Sequence, residues 1–152
     1  MIEIESYSPE DTYELGYRIG KRLKEGDIIC LNGDLGAGKT TITKAIAEAL
    51  DIHDTITSPS FTIVNEYYGD VDLYHFDVYR IDDLEEMYDL GYEEYFYSDG
   101  ICVIEWSNMI EELLPDKRLV ITLKNTEDMD KRKIEIEAFG DRYEELLREA
   151  GI

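Results

Sequence analysis

The sequence has few cations for its length. Only 15 of its 152 residues are Lys or Arg, against 36 Asp and Glu, and the formal net charge is −21. Tight nucleic-acid binding usually needs several cations on one face, whereas the short basic clusters at 21–24, 117–118 and 131–133 each lie within acidic sequence. We therefore expect no strong direct binding to nucleic acid, with a local patch around 131–133 as the alternative.

Long apolar segments and paired cysteines are also missing. The longest apolar runs are four residues, 28–31 and 101–104, far short of the ~20 that cross a bilayer. Cys30 and Cys102 lie within these runs, which is typical of buried free thiols and not of a disulfide or metal motif. The first residues show neither a basic nor an apolar leader pattern. These absences predict a cytoplasmic protein without membrane contact.

Aromatic residues, in contrast, are plentiful. Twelve Tyr, four Phe and one Trp separate this acidic chain from disordered acidic proteins, which have few aromatics. The length fits one domain over residues 1–152.

Apolar strand patterns alternate with helical patterns along the chain, which favours an α/β fold with a mostly parallel or mixed central sheet and helices on both faces. Ser8 and Pro9 predict a helix start, and Gly26 is expected to close that helix. The predicted strands lie at 2–4, 28–31, 61–68, 73–79, 101–104, 119–123 and 134–139, and the other predicted helices begin at 39 or span 85–90, 107–114 and 141–150.

A glycine-rich segment joins the strand at 28–31 to the helix from Lys39. Residues 33–40 read Gly-Asp-Leu-Gly-Ala-Gly-Lys-Thr, which is the phosphate-loop pattern G-x-x-x-x-G-K-[ST] in its required strand–helix context. Gly36 and Gly38 allow the backbone to turn its N–H groups toward a phosphate. Lys39 is expected to reach the β- and γ-phosphates, and the Thr40 hydroxyl to bind Mg²⁺.

Two carboxylates at predicted strand ends are candidates for the remaining chemistry. Glu105 directly follows the strand at 101–104, and Asp77 lies in the strand pattern at 73–79; such positions meet at one edge of a parallel sheet. The alternatives are a helix-capping role for Glu105 and an ion pair between Asp77 and Arg80. His75 is either a catalytic base or a packed, hydrogen-bonded strand residue. Trp106 is either core or functional, and core is favoured.

Residues 58–61, Ser-Pro-Ser-Phe, lie between the phosphate-loop helix and the next strand. Loops that sense the γ-phosphate occur at this place in nucleotide hydrolases. A hydroxyl here is expected to approach Mg²⁺ or the γ-phosphate, and an ordinary turn at Pro59 is the alternative.

With these motifs assembled, the chain resembles the TsaE (YjeE) family of P-loop ATPases required for threonylcarbamoyladenosine in tRNA. The resemblance rests on LNGDLGAGKTT at 31–41, SPSFTIVNEY at 58–67, YHFDVYR at 74–80, LGYEEYF at 90–96 and ICVIEW at 101–106. It implies a three-layer P-loop fold, ATP or ADP with Mg²⁺, and partner-activated hydrolysis alongside TsaB and TsaD, so that this chain need not hold tRNA itself.

The resemblance also implies roles for particular residues. Thr40 and Glu105 would complete the Mg²⁺ shell, and Asp77 would be needed for hydrolysis together with Glu105. Arg132 and the 8–12 segment would lie near the adenine by looser alignment. The implied nucleotide-binding residues are Gly33, Leu35, Gly36, Ala37, Gly38, Lys39, Thr40, Thr41 and Arg132.

Two other functions use a phosphate loop. A small-molecule kinase usually needs a lid that supplies Arg to the transferred group, and Arg80 is the main candidate for such a cation here. A regulatory GTPase would need an N-K-x-D element, which does not follow the phosphate loop. The partner-activated ATPase is therefore the main hypothesis and the kinase is the alternative.

Overall fold

A computed structural model describes residues 1–59 and 62–152. The strands are β1 (Ile2–Ser6), β2 (Ile28–Gly33), β3 (Val64–Tyr67), β4 (Leu73–Asp77), β5 (Ile101–Glu105), β6 (Arg118–Asn125) and β7 (Arg132–Phe139). The helices are α1 (Pro9–Gly20), α2 (Lys39–Ala49), α3 (Glu85–Leu90), α4 (Tyr92–Phe96) and α5 (Asp141–Glu149), with a 3₁₀ helix at Ser107–Leu113.

The strands form one mixed seven-stranded sheet in the order β1-β7-β6-β2-β5-β4-β3. The four central strands β6, β2, β5 and β4 are parallel, while β3, β7 and β1 are antiparallel to their neighbours. The register of β4 and β5 places Asp77 opposite Glu105. The sheet therefore brings these two acids to the same edge, beside the end of β2.

Helices cover both faces of the sheet, as predicted. On one face, α1, α2 and α5 pack against the strands through residues such as Ile19, Ile42 and Leu146. On the other, α3, α4 and the 3₁₀ helix pack through Met87, Phe96 and Ile110. Since neighbouring side chains in a strand point to opposite faces, each central strand contributes to both cores. The α/β prediction is confirmed.

Helix α1 begins as its sequence predicts and ends earlier. The Ser8 hydroxyl accepts a hydrogen bond from the Asp11 amide at 3.1 Å, which is an N-cap. The helix ends at Gly20 and not at Gly26, because the next amides tighten into i→i−3 bonds, including Leu23 N to Gly20 O at 3.3 Å. Leu23 is nevertheless buried. Its spacing of four residues from Ile19 therefore indicated a core position and not a continuing helix.

Other boundaries differ for local reasons. The predicted helix at 107–114 is a 3₁₀ helix with a kink at Ile110, where φ is −128° and ψ is 32°. The strand predicted at 73–79 ends at Asp77, whose carboxylate accepts from the Tyr79 amide and turns the chain. The strand predicted at 61–68 spans Val64–Tyr67; residue 61 lies outside the described residues. Helix α4 was not predicted.

Two glycines on α1 allow it to lie close to the phosphate-loop helix α2. A Cβ added at Gly16 would lie 2.9 Å from the Ala45 Cβ, and one at Gly20 would lie 2.7 Å from the Ala49 Cβ. Both distances are below ordinary carbon contact, so the two helices pack backbone to side chain with no room for larger residues. This packing fixes α2, and therefore Lys39 and Thr40 at its start.

The two longest apolar runs, at 28–31 and 101–104, lie in the central strands β2 and β5. In the described part of the chain, no helix has the length and apolar character needed to cross a membrane. Cys30 and Cys102 are buried free thiols, as expected. Burial raises the pKa of Cys30 to about 11 and also raises the pKa of Cys102, so both are protonated and unreactive near neutral pH.

Candidate functional site

The phosphate loop connects β2 to α2. Gly36 and Gly38 have φ values of +75° and +113°. Residues other than glycine rarely adopt a backbone conformation with positive φ. A Cβ added at Gly36 would have no neighbour within 4 Å, so Gly36 is required for its backbone conformation and not for close packing. At Gly33, by contrast, a Cβ would lie 2.3 Å from the Leu123 carbonyl oxygen. Gly33 is thus also required for the close packing of β2 on β6.

The Lys39 side chain turns back into the loop. Its Nζ donates to the carbonyl oxygens of Gly33 at 2.7 Å and Asp34 at 2.8 Å, and it lies 4.2 Å from the centroid of the Trp106 ring. Burial lowers the pKa of the Lys39 amino group, and the nearby carboxylates, of which Glu105 has the largest effect, oppose that shift. The ammonium group is therefore held in the loop by neutral carbonyl acceptors, in a place where an anion can replace them.

Two hydroxyls meet at the start of α2. Thr40 Oγ1 and Ser58 Oγ are 3.3 Å apart, although they are separated by the whole of α2 in sequence. This contact brings the segment predicted to sense the γ-phosphate to the residue predicted to bind Mg²⁺. Within that segment, Ser60 and Phe61 lie outside the described residues.

The two strand-end acids line the same pocket as the phosphate loop. Its volume is about 260 Å³. The pocket combines one amino group, hydroxyls and two carboxylates around a glycine-rich backbone, which is a suitable set for a nucleotide phosphate with a divalent cation. It is lined by Leu35, Gly36, Gly38, Lys39, Thr40, Thr41, Ser58, Asp77, Glu105 and Trp106.

Asp77 is half-buried and its carboxylate accepts a hydrogen bond from the Tyr79 amide at 3.0 Å. Burial raises the pKa of the Asp77 carboxyl and the charge of Glu105 adds to the rise, while the Tyr79 hydrogen bond opposes it. Between these two described residues, Asp77 and Arg80, no ion pair forms. The alternative of a structural Asp77–Arg80 pair is therefore not supported.

Glu105 is almost completely buried, and one of its carboxylate oxygens contacts Nε2 of His75. It does not cap the helix that follows. That position is taken by Asn32, whose Oδ1 accepts from the Ser107 hydroxyl at 2.8 Å and the Asn108 amide at 3.2 Å. Of the two alternatives for His75, a catalytic base or a packed strand residue, the structure shows the packed and hydrogen-bonded one. Its hydrogen-bond partner, Glu105, lines the phosphate pocket. The contact joins different strands, so sequence spacing did not reveal it.

Trp106 is half-buried: it packs against the core that contains Ile104 and Ile110, as favoured, and it also lines the phosphate pocket. Its backbone is left-handed, with φ +61°, an unusual state for a bulky residue. Its ring packs against the Tyr79 ring, with centroids 4.6 Å apart and the ring planes tilted by 39°. Trp106 and Tyr79 form one wall of a second cleft of about 590 Å³ that also includes Ser58 and Asp77. Tyr79 lines this cleft and was not indicated by the sequence.

Arg132 approaches the phosphate loop from β7. Its Nη2 lies 3.5 Å from the Gly36 carbonyl oxygen, at the edge of a third pocket of about 100 Å³. That pocket is lined by Ser8, Pro9, Thr12, Gly36, Ala37, Gly38, Thr41, Met129, Asp130 and Arg132. It shares Gly36, Gly38 and Thr41 with the phosphate pocket, so the two pockets adjoin at the phosphate loop.

The described part of the site contains no pre-formed cage of metal ligands. Among the described residues, no group of three or more His, Cys, Asp or Glu is arranged to hold a metal ion. Mg²⁺ usually keeps several waters and binds through one or two protein groups plus substrate phosphates. The Thr40 hydroxyl and the Glu105 carboxylate, which line one pocket, fit that mode.

Known proteins resemble this chain over nearly its whole length. The family model described as "Threonylcarbamoyl adenosine biosynthesis protein TsaE" matches residues 6–134. The tRNA threonylcarbamoyladenosine biosynthesis protein TsaE of Bacillus subtilis is 48% identical over 143 residues, which are 93% of this chain and 89% of that protein. The protein of the same name from Treponema pallidum is 43% identical, over 78% of this chain and 88% of its own.

A solved structure agrees with the sequence comparison. The crystal structure of YdiB from Bacillus subtilis superimposes with a TM-score of 0.81 and 42% sequence identity, covering 99% of this chain and 93% of that one. The phosphate loop, the order of motifs and the mixed sheet are thus those of one family of P-loop proteins. The chain belongs to the TsaE family of threonylcarbamoyl adenosine biosynthesis proteins.

Proposed function

We propose that this protein binds and hydrolyses ATP as a subunit of the system that makes threonylcarbamoyladenosine in tRNA. The observation that carries the proposal is the single pocket in which the phosphate loop meets Ser58, Asp77 and Glu105. Its relatives bear the name of that pathway. The small-molecule kinase has no comparable support.

The phosphate loop holds the β- and γ-phosphates. Gly36 and Gly38 shape the loop, and the start of α2 adds a partial positive charge. On binding, the Lys39 ammonium exchanges the neutral Gly33 and Asp34 carbonyls for anionic phosphate oxygens, so that both the donor and the acceptor are ionised. The remaining loop residues, Leu35, Ala37 and Thr41, contribute backbone and shape.

Thr40 and Glu105 hold the cation that accompanies the nucleotide. Both line the phosphate pocket, and Ser58 Oγ lies 3.3 Å from Thr40 Oγ1, so the hydroxyl of Ser58 reaches the same region. When bound, Mg²⁺ neutralises charge that develops on the β- and γ-phosphate oxygens. Because the protein carries a net charge of −21, we expect nucleotide affinity to depend strongly on this cation.

Asp77 orients the attacking water. Its carboxylate lies in the phosphate pocket and also lines the larger open cleft, from which a water can approach the γ-phosphate. The hydrogen bond from the Tyr79 amide fixes the Asp77 carboxylate. Because the pKa of Asp77 is raised, this carboxylate is a better proton acceptor than that of an ordinary aspartate.

The nucleoside end of ATP is placed in the smaller pocket beside Arg132. That pocket adjoins the loop at Gly36 and Gly38 and is closed by the start of α1 at Ser8 and Pro9. The Arg132 guanidinium is planar and stacks well on aromatic rings. We assign it to the adenine on this basis.

The partners are TsaB and TsaD, which activate hydrolysis by docking. The cleft of about 590 Å³ beside Asp77 and Trp106 is open to a partner side chain. Transfer of the threonylcarbamoyl group belongs to TsaD in this proposal, so this acidic chain need not bind tRNA directly.

The test is ATPase activity of the purified chain alone and with the TsaB–TsaD pair. We expect low phosphate release alone, a clear rise with the pair, and no rise for Lys39→Ala. A lack of stimulation by the correctly assembled pair would contradict partner activation. A phosphorylated metabolite in place of free phosphate would favour the kinase.

A further inference from the structure

His75 and Glu105 form a buried pair beneath the phosphate pocket. His75 is opposite Val103 in the parallel register of β4 and β5, and Glu105 lies two residues further along β5. Side chains two apart in a strand point to the same face, so His75, Asp77 and Glu105 all face the α2 side of the sheet. His75 is 0% exposed and Glu105 is 2% exposed. The imidazole therefore meets the carboxylate from inside the protein, where water does not compete.

The hydrogen-bonding capacity of the two groups determines which nitrogen carries the proton. An ionised carboxylate only accepts hydrogen bonds, and its partner atom is His75 Nε2. His75 Nδ1 is buried without a hydrogen-bond partner among the described residues. If the proton were on Nδ1 alone, that N–H would have no partner. The unprotonated Nε2 would then face the Glu105 carboxylate oxygen, which is also an acceptor. The proton accordingly lies on Nε2, which donates to Glu105.

This contact leaves Glu105 with little freedom. One carboxylate oxygen is held by His75, while the same side chain lines the pocket with Lys39 and Thr40. Groups that ligate metal ions are commonly oriented by a second hydrogen bond of this kind, and loss of that bond lowers metal affinity. No other described side chain is hydrogen-bonded to the Glu105 carboxylate.

We propose that His75 is a positioning residue that acts through Glu105: its Nε2–H holds the carboxylate in the orientation that meets the cation of a bound nucleotide. This inference rests on the proposed nucleotide site and on the assignment of Glu105 to the cation. His75 itself is too deeply buried to touch the nucleotide, so its effect is confined to the Mg²⁺-dependent part of binding.

The test compares three substitutions of His75 with the parent. In His75→Gln, the amide nitrogen falls near the place of Nε2 and still donates to Glu105. His75→Leu removes the donor while filling the space, and in His75→Asn the shorter amide does not reach. Phe76→Leu is the matched control, because Phe76 is fully buried on the same strand but faces the opposite core.

The measurement is ADP affinity by calorimetry, in EDTA and across a Mg²⁺ titration, with a thermal melt of each variant. For His75→Leu and His75→Asn, we expect the Mg²⁺ concentration of half-maximal effect to rise about 10-fold or more, with unchanged affinity in EDTA. His75→Gln should behave as the parent. Phe76→Leu should melt at a lower temperature with unchanged Mg²⁺ dependence. Two donor-removing variants are included so that one remains if the other fails to fold.

Parent-like Mg²⁺ dependence in either donor-removing variant would overturn the proposal, as would a failure of His75→Gln to rescue. Equal losses in EDTA and in Mg²⁺ would show a purely structural role and would also overturn it. The variant Glu105→Gln distinguishes a failure of the positioning role of His75 from a failure of the proposed cation role of Glu105. If Glu105→Gln leaves the Mg²⁺ dependence unchanged, the cation assignment of Glu105 is wrong; if it shifts while the His75 variants do not, only the positioning role is wrong.

Discussion

Replacing Asp77 by Asn separates nucleotide binding from hydrolysis more cleanly than any other substitution at the site. The Asn oxygen still accepts the hydrogen bond from the Tyr79 amide, which is 3.0 Å from the carboxylate in the parent. The negative charge disappears and the shape is retained. Asp77→Ala removes that hydrogen bond as well, at a cost of about 1 kcal/mol in the free energy of unfolding.

The expected effect on stability follows from the raised pKa of Asp77. Because burial raises the folded-state pKa above the unfolded-state value of about 3.8, the protonated form favours folding. That contribution is fully present below the unfolded-state pKa and is lost as the pH rises through the folded-state pKa. The Asn variant imitates the protonated form at every pH. It should therefore match the parent at low pH and equal or exceed its stability near pH 7.

The effects on ligand binding and turnover should diverge. Removing a carboxylate from the phosphate pocket removes a repulsion, so ATP should bind as tightly as to the parent, or more tightly. Hydrolysis stimulated by the partner pair should fall by about 10²–10⁴, the usual contribution of a group that positions a nucleophile or accepts its proton.

The assays are denaturant melts at several pH values, ATP titration by calorimetry, and phosphate release with TsaB–TsaD. Asp70→Asn is the control, because Asp70 is exposed and undergoes the same change of charge. Normal turnover by folded Asp77→Asn would refute the catalytic assignment. A variant that melts lower than the parent near pH 7 and binds ATP less tightly would show that Asp77 is structural.

Three further substitutions test the remaining assignments. Lys39→Ala should weaken ADP·Mg²⁺ binding by about 10- to 100-fold, corresponding to a charged hydrogen bond of ~1.5–3 kcal/mol. Calorimetry should show no change for the control Lys44→Ala, which replaces an exposed lysine on the same helix. Equal affinities of Lys39→Ala and the parent would refute the phosphate role of Lys39. Glu105→Gln should weaken ADP binding in Mg²⁺ and leave binding in EDTA unchanged, and equal losses in both would indicate a structural role. Arg132→Ala should weaken ADP binding but not pyrophosphate binding; a parallel loss in a competition titration would place Arg132 at the phosphates instead.

The site and the fold class depend largely on local sequence, and this is why much of them could be predicted. A phosphate loop needs glycine at positions of positive φ and a Lys-Thr pair at the helix start, so residues 33–40 identify it directly. Ser8 capped its helix as expected because an N-cap involves only neighbours in sequence. The buried strands 28–31 and 101–104 were recognisable because both of their faces are apolar.

Contacts between distant segments required the tertiary structure. The pairing of His75 with Glu105 depends on the order and register of β4 and β5, which no local pattern specifies. The start of the 3₁₀ helix at residues 107–113 is also held by a long-range contact, since Asn32 on β2 accepts from the Ser107 hydroxyl and the Asn108 amide. Short-range propensity and apolar spacing determined where the elements lie in this protein, whereas the packing of elements far apart in sequence decided that His75 contacts Glu105 and that Ser58 meets Thr40.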